Sequence, residues 1–385
     1  MKLKRLPEDF QVEELTQFPC GSGPFALYRL KKRSIGTPEA IEAVLRRWKL
    51  ARRQISYGGM KDRHAVTEQF VTIERGPRRN LTQASFTLLY QGQAASSFGP
   101  KDIAGNRFRI VIRDLSEEQG RDAVQALAQA ARDGLPNYFD DQRFGSLGES
   151  GQFMARAWCE SNYERALWLA LADPNADDRS PEREQKRLLR AHWGDWPACK
   201  AALLRSHRRS IITYLADHPA DFRGAIGRLR ADLRSLYLAA FQSFLWNRLL
   251  AAFLRQECRP QQLFDVPLRI GSVPFFRPLD DAQRESLRTR LLPLPSARMR
   301  LEEGPTKQLV EQVLGELGLQ QRQLRVKYPR DSFFSKGNRA AIFPVTALDH
   351  RDEADDLYAR RRKLMLRFDL PRGSYATILV KRLTS

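Results

Sequence analysis

Alternation of apolar and polar residues marks three segments of the chain as β-strands. Residues 10–15 begin with apolar Phe10 and Val12 at alternate positions, and residues 105–113 and 362–370 show the same period over longer stretches. Because successive side chains of a strand point to opposite faces, each segment is expected to bury one face and expose the other. In 105–113 this geometry makes Asn106 and Phe108 neighbours on one face.

Helical periodicity lies between and after these strands. Thr37 precedes Pro38 and an apolar stripe that ends at Trp48, so we expect a helix with Thr37 as its N-terminal cap. Ser116 opens a second helix through a capping-box pattern, and a third helix is predicted over 374–380 with a serine cap. Alternating strands and helices of this kind predict an α/β or α+β fold.

The composition changes near residue 150. Residues 150–257 have helical periodicity, and residues 258–300 are short β-like pieces separated by prolines. After residue 305 the sequence again shows the strand–turn–helix pattern of the first part. We therefore predict one discontinuous domain, formed by 1–149 and 306–385, with an inserted and largely helical domain over 150–305.

The charge of the chain indicates a polyanionic partner. Its 385 residues include 65 Lys and Arg against 45 Asp and Glu, a net charge of +20. Nucleic acid and an anionic membrane surface both attract such a chain, and a generally basic proteome is the alternative explanation. Basic residues outnumber acidic ones about two to one over 179–234, which predicts a charged face on the inserted domain.

Several classes of protein are disfavoured by what the sequence lacks. The four cysteines are far apart and predict neither a zinc site nor a disulfide framework, which fits a reducing cytoplasm. No apolar run reaches the roughly 18 residues that span a membrane, and no signal-peptide core is found at the start. Neither a P-loop nor a dinucleotide fingerprint is present, so the sequence does not predict a nucleotide cofactor.

Residues 57–69 are the stretch around which the candidate chemistry is organised. Two glycines there are followed by Lys61, Asp62, Arg63 and His64. Neighbouring positive charge keeps a carboxylate ionised, and an ionised carboxylate on a loop can act as a nucleophile or base. Taken alone, such a run is more typical of a solvated turn.

A second candidate is the loop over 135–145, which interleaves aromatic residues with Gln and Arg. Unpaired bases stack on aromatic rings and guanidinium planes, so the loop could bind RNA. A loop that packs on the protein core would have the same composition. The sequence does not choose between the two.

Five segments, in this order, closely resemble the TruD family of tRNA pseudouridine synthases over nearly the whole chain. They are Gly59-x-Lys61-Asp62-Arg63-x-Ala65-x-Thr67-x-Gln69, Gly105-Asn106-x-Phe108, Pro136-Asn137-Tyr138-Phe139-x-x-Gln142-Arg143-Phe144-Gly145, Ala240-Phe241-Gln242-Ser243-x-Leu245-x-Asn247 and Leu370-Pro371-x-Gly373-Ser374-Tyr375-Ala376-Thr377. Two departures from the family pattern are Asp140, where most members have Gly, and Tyr375, which is often Phe.

The resemblance implies an α+β fold: a catalytic domain with a mixed, mainly antiparallel sheet and flanking helices, carrying an inserted TRUD domain. It implies isomerisation of uridine to pseudouridine in tRNA, typically at position 13 in the D arm, with no cofactor and no metal. We expect a cytoplasmic monomer in which the basic insert and the catalytic domain form a cleft that grips tRNA.

The resemblance also implies roles for individual residues. The essential aspartate of the family falls on Asp62, and the substrate-contacting asparagine and aromatic residue fall on Asn106 and Phe108. Phe10 and Tyr375 are expected as further walls of the uracil pocket. The RNA-binding residues, expected to contact phosphates or bases, are Lys61, Arg63, Asn137, Phe139 and Arg143.

Three questions stay open at this point. A partly buried carboxylate needs a positive neighbour, and Lys4 and Arg5 are both candidates to support Asp62. The aspartate could attack C1′ of the ribose or remove the C2′ proton. A non-catalytic RNA-binding or RNA-folding protein on the same scaffold is the alternative function, and a basic structural or ribosome-associated protein is a further one.

Overall fold

The computed structural model of the protein describes all residues from Met1 to Ser385. They form two compact units: the first unit is Met1–Leu135 with Phe343–Ser385, and the second unit is Pro136–Ile342. The strands, in chain order, are β1 (Phe10–Leu15), β2 (Phe25–Arg33), β3 (Ile55–Tyr57), β4 (Val66–Glu74), β5 (Leu81–Gln83), β6 (Phe86–Ala94), β7 (Gly105–Leu115), β8 (Leu135–Pro136), β9 (Leu263–Leu268), β10 (Gly271–Phe276), β11 (Leu291–Pro293), β12 (Asn338–Ala340), β13 (Ile342–Phe343), β14 (Thr346–Ala354) and β15 (Arg362–Pro371). The helices are α1 (Thr37–Trp48), α2 (Glu117–Asp133), α3 (Met154–Cys159), α4 (Tyr163–Leu171), α5 (Ser180–Ala191), α6 (Trp196–Ala202), α7 (His207–Asp217), α8 (Phe222–Gly227), α9 (Ala231–Glu257), α10 (Asp281–Thr289), α11 (Pro305–Glu316) and α12 (Ala376–Leu383).

A nine-stranded sheet organises the first unit. Its strands run in the order β14-β15-β7-β1-β4-β2-β6-β5, and β3 also pairs with β4. Only β1 and β4 are parallel, while the other pairs are antiparallel. The predicted α+β class with a mixed, mainly antiparallel sheet is therefore confirmed.

The hydrophobic core of one half of this sheet forms where α1 packs on strands β2, β4 and β6. Tyr28 and Leu30 of β2 meet Ile41 and Val44 of the helix, and all four side chains are buried. These are the positions that the apolar periodicities of the two elements bring to one face. The packing fixes α1 beside the loop that connects β3 to β4.

The alternation predicted for β7 is confirmed up to one point. Phe108, Ile110 and Ile112 are buried and Arg109 is exposed. Arg113 is buried as well, although the two-residue period places it on the face of Arg109. The pairing with β15 shifts register at this place, and such a bulge re-aims the side chain of the strand that carries it.

Three local predictions were wrong. Thr37 is the first residue of α1 and Gly36 is its cap, because the Thr37 hydroxyl is engaged elsewhere. Helix α12 begins at Ala376 with no side-chain cap, so Ser374 does not cap it. A helix, α10, lies within the stretch predicted as β-like pieces.

The second unit is longer at both ends than the insertion predicted over 150–305. Residues 136–149 belong to it, because the Tyr138 hydroxyl donates to the Pro274 carbonyl at 2.9 Å. Residues 306–342 belong to it as well, and α11 packs on α9. Composition alone did not reveal these contacts, since they join segments far apart in the chain.

Helix α9 ties together the loops of the second unit through two buried amides. The Asn247 side chain exchanges hydrogen bonds with the backbone of Phe139, at 2.8 and 2.9 Å. The Gln242 side chain donates to the carbonyls of Pro295 and Ser335, at 3.0 and 2.8 Å. None of the helices in the structure is long and apolar enough to cross a membrane.

Candidate active site

Asp62 lies on the loop between β3 and β4, and the N-terminal segment brings a lysine to it. The Lys4 ammonium is 2.5 Å from Asp62 Oδ2, and the Asp62 side chain is 24% exposed. The same ammonium lies 4.0 Å from the centre of the Phe10 ring. Of the two candidate supports, the structure places Lys4 at the carboxylate, whereas Arg5 is exposed.

The Phe10 ring, which the Lys4 ammonium contacts, belongs to a cluster of three aromatic rings. Phe10 meets Phe108 edge-on at 6.2 Å between ring centres, and Phe108 stacks on Phe368 at 5.5 Å. The three rings come from neighbouring strands, since β7 pairs with both β1 and β15. Tyr375 follows the end of β15 and is partly buried as the cap of α12. The Lys4–Asp62 pair is thus linked through Phe10 to a cluster of buried aromatic rings.

Lys61, expected to contact phosphate from the surface, instead points into the protein. Its side chain is 12% exposed, and its ammonium lies 3.0 Å from the fully buried Glu14 carboxylate. It also donates to Asn106 Oδ1 at 2.7 Å. Burial raises the pKa of the Glu14 carboxyl, and the Lys61 charge opposes that rise. Because the Lys61 ammonium bonds to both Glu14 and Asn106, it fixes the orientation of the Asn106 side chain.

The loop that carries Asp62 is anchored from below by Thr37 and Gln69. The Thr37 hydroxyl accepts from the Lys61 backbone N–H at 3.0 Å and donates to Gln69 Oε1 at 2.8 Å. The Gln69 amide donates in turn to the Gly59 carbonyl at 3.0 Å. Both side chains are fully buried. This chain of bonds explains why threonine 37 is not used as a helix cap.

A buried lysine that sequence reasoning missed also supports the loop. Lys32, at the end of β2, is 2% exposed. Its ammonium donates to the carbonyls of Asp62 and Ile35 at 2.7 and 2.8 Å, and more weakly to that of Lys61 at 3.4 Å. Lys32 is two residues after Leu30 and four after Tyr28, so it lies on the same buried face of β2. The alternation of the strand therefore indicated that Lys32 is buried.

The other predicted RNA-binding residues have different surroundings. Arg63 is half-exposed and pairs with Glu39 at 3.2 Å. Asn137 is buried, and its side chain bonds to Ala340 and Arg339, as expected for a loop that packs on the protein. Phe139 remains partly exposed in the second unit, with the guanidinium carbons of Arg143 and Arg339 at 5.4 and 4.2 Å from its ring centre.

The buried state of Lys32 predicts a specific pH dependence. Burial lowers the pKa of Lys32 to about 8, against the attraction of the Asp62 carboxylate. An unfolded lysine has a pKa of about 10.4. Between these values the unfolded state binds more protons, so the free energy of unfolding rises with pH, by at most about 1.4 kcal/mol per unit.

We expect this rise in the wild type and not in Lys32→Met, measured as apparent melting temperature from pH 8 to 10. Lys31→Met is the matched control, since Lys31 is the neighbouring residue and is 44% exposed. The control should keep the wild-type rise. An identical pH profile for wild type and Lys32→Met would contradict the assignment.

The similarity to known proteins covers nearly the whole chain. The family model for tRNA pseudouridine synthase D (TruD) matches residues 1–265 and 279–383. A tRNA pseudouridine synthase D from Geobacter sulfurreducens is 30% identical over 392 residues, covering 98% of this chain and 92% of the relative. One from Aquifex aeolicus is 26% identical over 391 residues, covering 100% and 98%.

A solved structure supports the same fold. The crystal structure of a candidate TruD from Methanosarcina mazei superposes with a TM-score of 0.73 at 24% identity, covering 100% of this chain and 93% of that one. The class of this protein is therefore that of the pseudouridine synthases, isomerases that act on uridine. Within that class, the chain belongs to the TruD family, tRNA pseudouridine synthase D.

Proposed function

We propose that this chain isomerises uridine to pseudouridine at position 13, in the D arm of tRNA, with Asp62 as its reactive carboxylate. The observation that carries the proposal is the Lys4–Asp62 pair, 2.5 Å long, beside the edge-on rings of Phe10 and Phe108. It supplies an ionised carboxylate for the ribose and an aromatic wall for the base. Family membership supports tRNA as the substrate.

The reaction needs few groups because substrate and product are isomers. The bond from N1 to C1′ breaks, the uracil turns over, C5 bonds to C1′, and the proton leaves C5 while N1 gains one. Asp62 can attack C1′ or take the C2′ proton, and either role requires its ionised form. Lys4 places its positive charge 2.5 Å from this carboxylate.

The target uridine has to leave the RNA stack, because its C1′ and base are otherwise enclosed. Phe108 and Phe10 would line the pocket that receives the base, with Tyr375 as a further wall. Lys61 occupies Asn106 Oδ1, so the Asn106 amide N–H group is directed at other acceptors, such as the uracil oxygens. Arg63, Phe139 and Arg143 would contact the surrounding RNA.

Pseudouridine mapping of an unmodified tRNA transcript tests the site of reaction. We expect one new pseudouridine, at position 13, and none when that uridine is replaced by cytidine. A pseudouridine elsewhere in the transcript would contradict the assigned position. Tight binding without any pseudouridine would favour the RNA-binding alternative over catalysis.

A further inference from the structure

A basic groove in the second unit has the features of a nucleic-acid site. It has a volume of about 800 Å³ and is lined by two segments, 296–298 and 324–336. Its five basic side chains have no acidic partner among the lining residues; they are Arg298, Arg325, Lys327, Arg330 and Lys336. The volume lies in the range of roughly 300–1,000 Å³ that ligand sites have.

These basic side chains are available, unlike many others in the second unit. All five are exposed, and none takes part in an ion pair. In the basic stretch 179–234, by contrast, the side chains of Lys186, Arg187, Arg208, Arg230 and Arg234 are paired with carboxylates. Asp331 near the groove is occupied by Arg234 at 2.6 Å. The groove therefore offers unneutralised positive charge.

An aromatic ring and a buried hydroxyl give the groove more than charge. Phe333 lines it and is 69% exposed, an unfavourable position for a ring that has no partner. Ser296 also lines it and is 3% exposed, and its Oγ has no hydrogen-bond partner. A buried hydroxyl without a partner is costly unless a ligand satisfies it.

The walls of the groove are held in place before any ligand arrives. The Gln242 amide donates to the carbonyls of Pro295 and Ser335, which are next to the lining residues of the two segments, at 3.0 and 2.8 Å. The Ala297 N–H donates to the Leu324 carbonyl at 2.9 Å and joins the two segments. A preformed site loses less conformational entropy on binding.

We propose that this groove binds a single-stranded segment of the substrate RNA, with one unpaired base stacked on Phe333. The surrounding Arg and Lys side chains bind the flanking phosphates, and the Ser296 hydroxyl donates to a phosphate or base oxygen. Stacking on an aromatic ring between cationic side chains is the usual way to hold a single strand. The choice of RNA as the polyanion rests on the proposed function.

The test compares two triple variants of the full chain. Arg325, Lys327 and Arg330 are changed to Gln in the groove variant, and the exposed Arg255, Arg277 and Arg288 of the same unit are changed to Gln in the control. Both lose three charges. Binding to a tRNA transcript and to an oligouridylate of about 10 nucleotides is measured against salt concentration.

We expect the groove variant to bind both RNAs at least about 10-fold more weakly, with a salt dependence reduced by about 2 in the logarithmic slope for the oligouridylate. The control should stay within about 3-fold of the wild type. For pseudouridine formation, KM should rise in the groove variant while kcat is kept. Equal weakening in both variants would mean a general charge effect and would overturn the proposal.

A second pair of variants tests the stacking. Phe333→Ala should weaken oligouridylate binding roughly 5- to 150-fold. Leu204→Ala, which truncates a side chain of the same 69% exposure, should not. No effect of Phe333→Ala would overturn the stacked base. Binding is read without catalysis, so failure of the groove and failure of the proposed reaction give different results.

Discussion

Replacing Arg113 by Met should lower the apparent melting temperature of the first unit by roughly 6–20 °C. Its guanidinium lies 2.9 Å from Asp9, 3.0 Å from Asp355 and 2.9 Å from Asp356. Asp9 and Asp355 are almost completely buried. Removing one partner of a buried ion pair leaves uncompensated charge, at a cost of about 3–5 kcal/mol, and this converts to the stated shift.

Replacing Arg113 should also disturb the active site. The Arg113 backbone exchanges hydrogen bonds with Lys2 at 2.8 and 2.9 Å, and Asp9 accepts from the Leu6 N–H at 2.9 Å. These bonds hold the segment that carries Lys4 to Asp62. We therefore expect pseudouridine formation to fall at temperatures where the variant is still folded.

The matched control for this prediction is Arg109→Met. Arg109 is on the same strand four residues earlier, and its side chain is exposed. Thermal unfolding followed by circular dichroism should show a change of only a degree or two for this variant. If the two arginine variants have the same melting temperature, the buried ion pairs of Arg113 do not stabilise the first unit as described.

The second large effect is expected from Asp62→Asn. Asparagine keeps the size of the side chain but cannot attack C1′ or accept a proton as a carboxylate does. The single-turnover rate of pseudouridine formation should fall by roughly 10³-fold or more. The affinity for tRNA should change little, because phosphate contacts made elsewhere supply most of it.

Asp352→Asn provides the comparison for Asp62→Asn. Asp352 lies in the same unit, is 29% exposed and is paired with Arg362 at 2.9 Å, so its surroundings resemble those of Asp62. The single-turnover rate of the Asp352→Asn variant should remain at the wild-type value. A normal rate for Asp62→Asn would remove this residue from the chemistry, and weak tRNA binding by it would point to a role in binding.

The sequence predicted the parts of the fold and site that depend on local pattern. Alternation located the strands that carry Phe10 and Phe108, and the segment around Asp62 stood out through its glycines and charges. However, the charge of a loop lysine does not show whether its side chain points to solvent or into the protein. Lys61 was expected at the surface, but its partner Glu14 lies on β1, far away in the chain.

Two signals for the buried charges were nevertheless present. Glu14 shares the parity of Phe10 and Val12 along β1, and Lys32 shares that of Leu30 along β2. Each position predicted burial of a charged side chain, which requires a partner. The identity of that partner depends on strand pairing, as for Arg113 with Asp355, and no local pattern supplies it.

The most direct test of the account is tritium release from tRNA labelled at C5 of uridine, because the isomerisation must expel the hydrogen from C5. Wild type and Asp352→Asn should release one tritium per tRNA molecule from the uridine at position 13. Asp62→Asn should release none above background while it binds the same tRNA. Release by Asp62→Asn at the wild-type rate, or no release by the wild type from tRNA that it binds, would contradict the central claim.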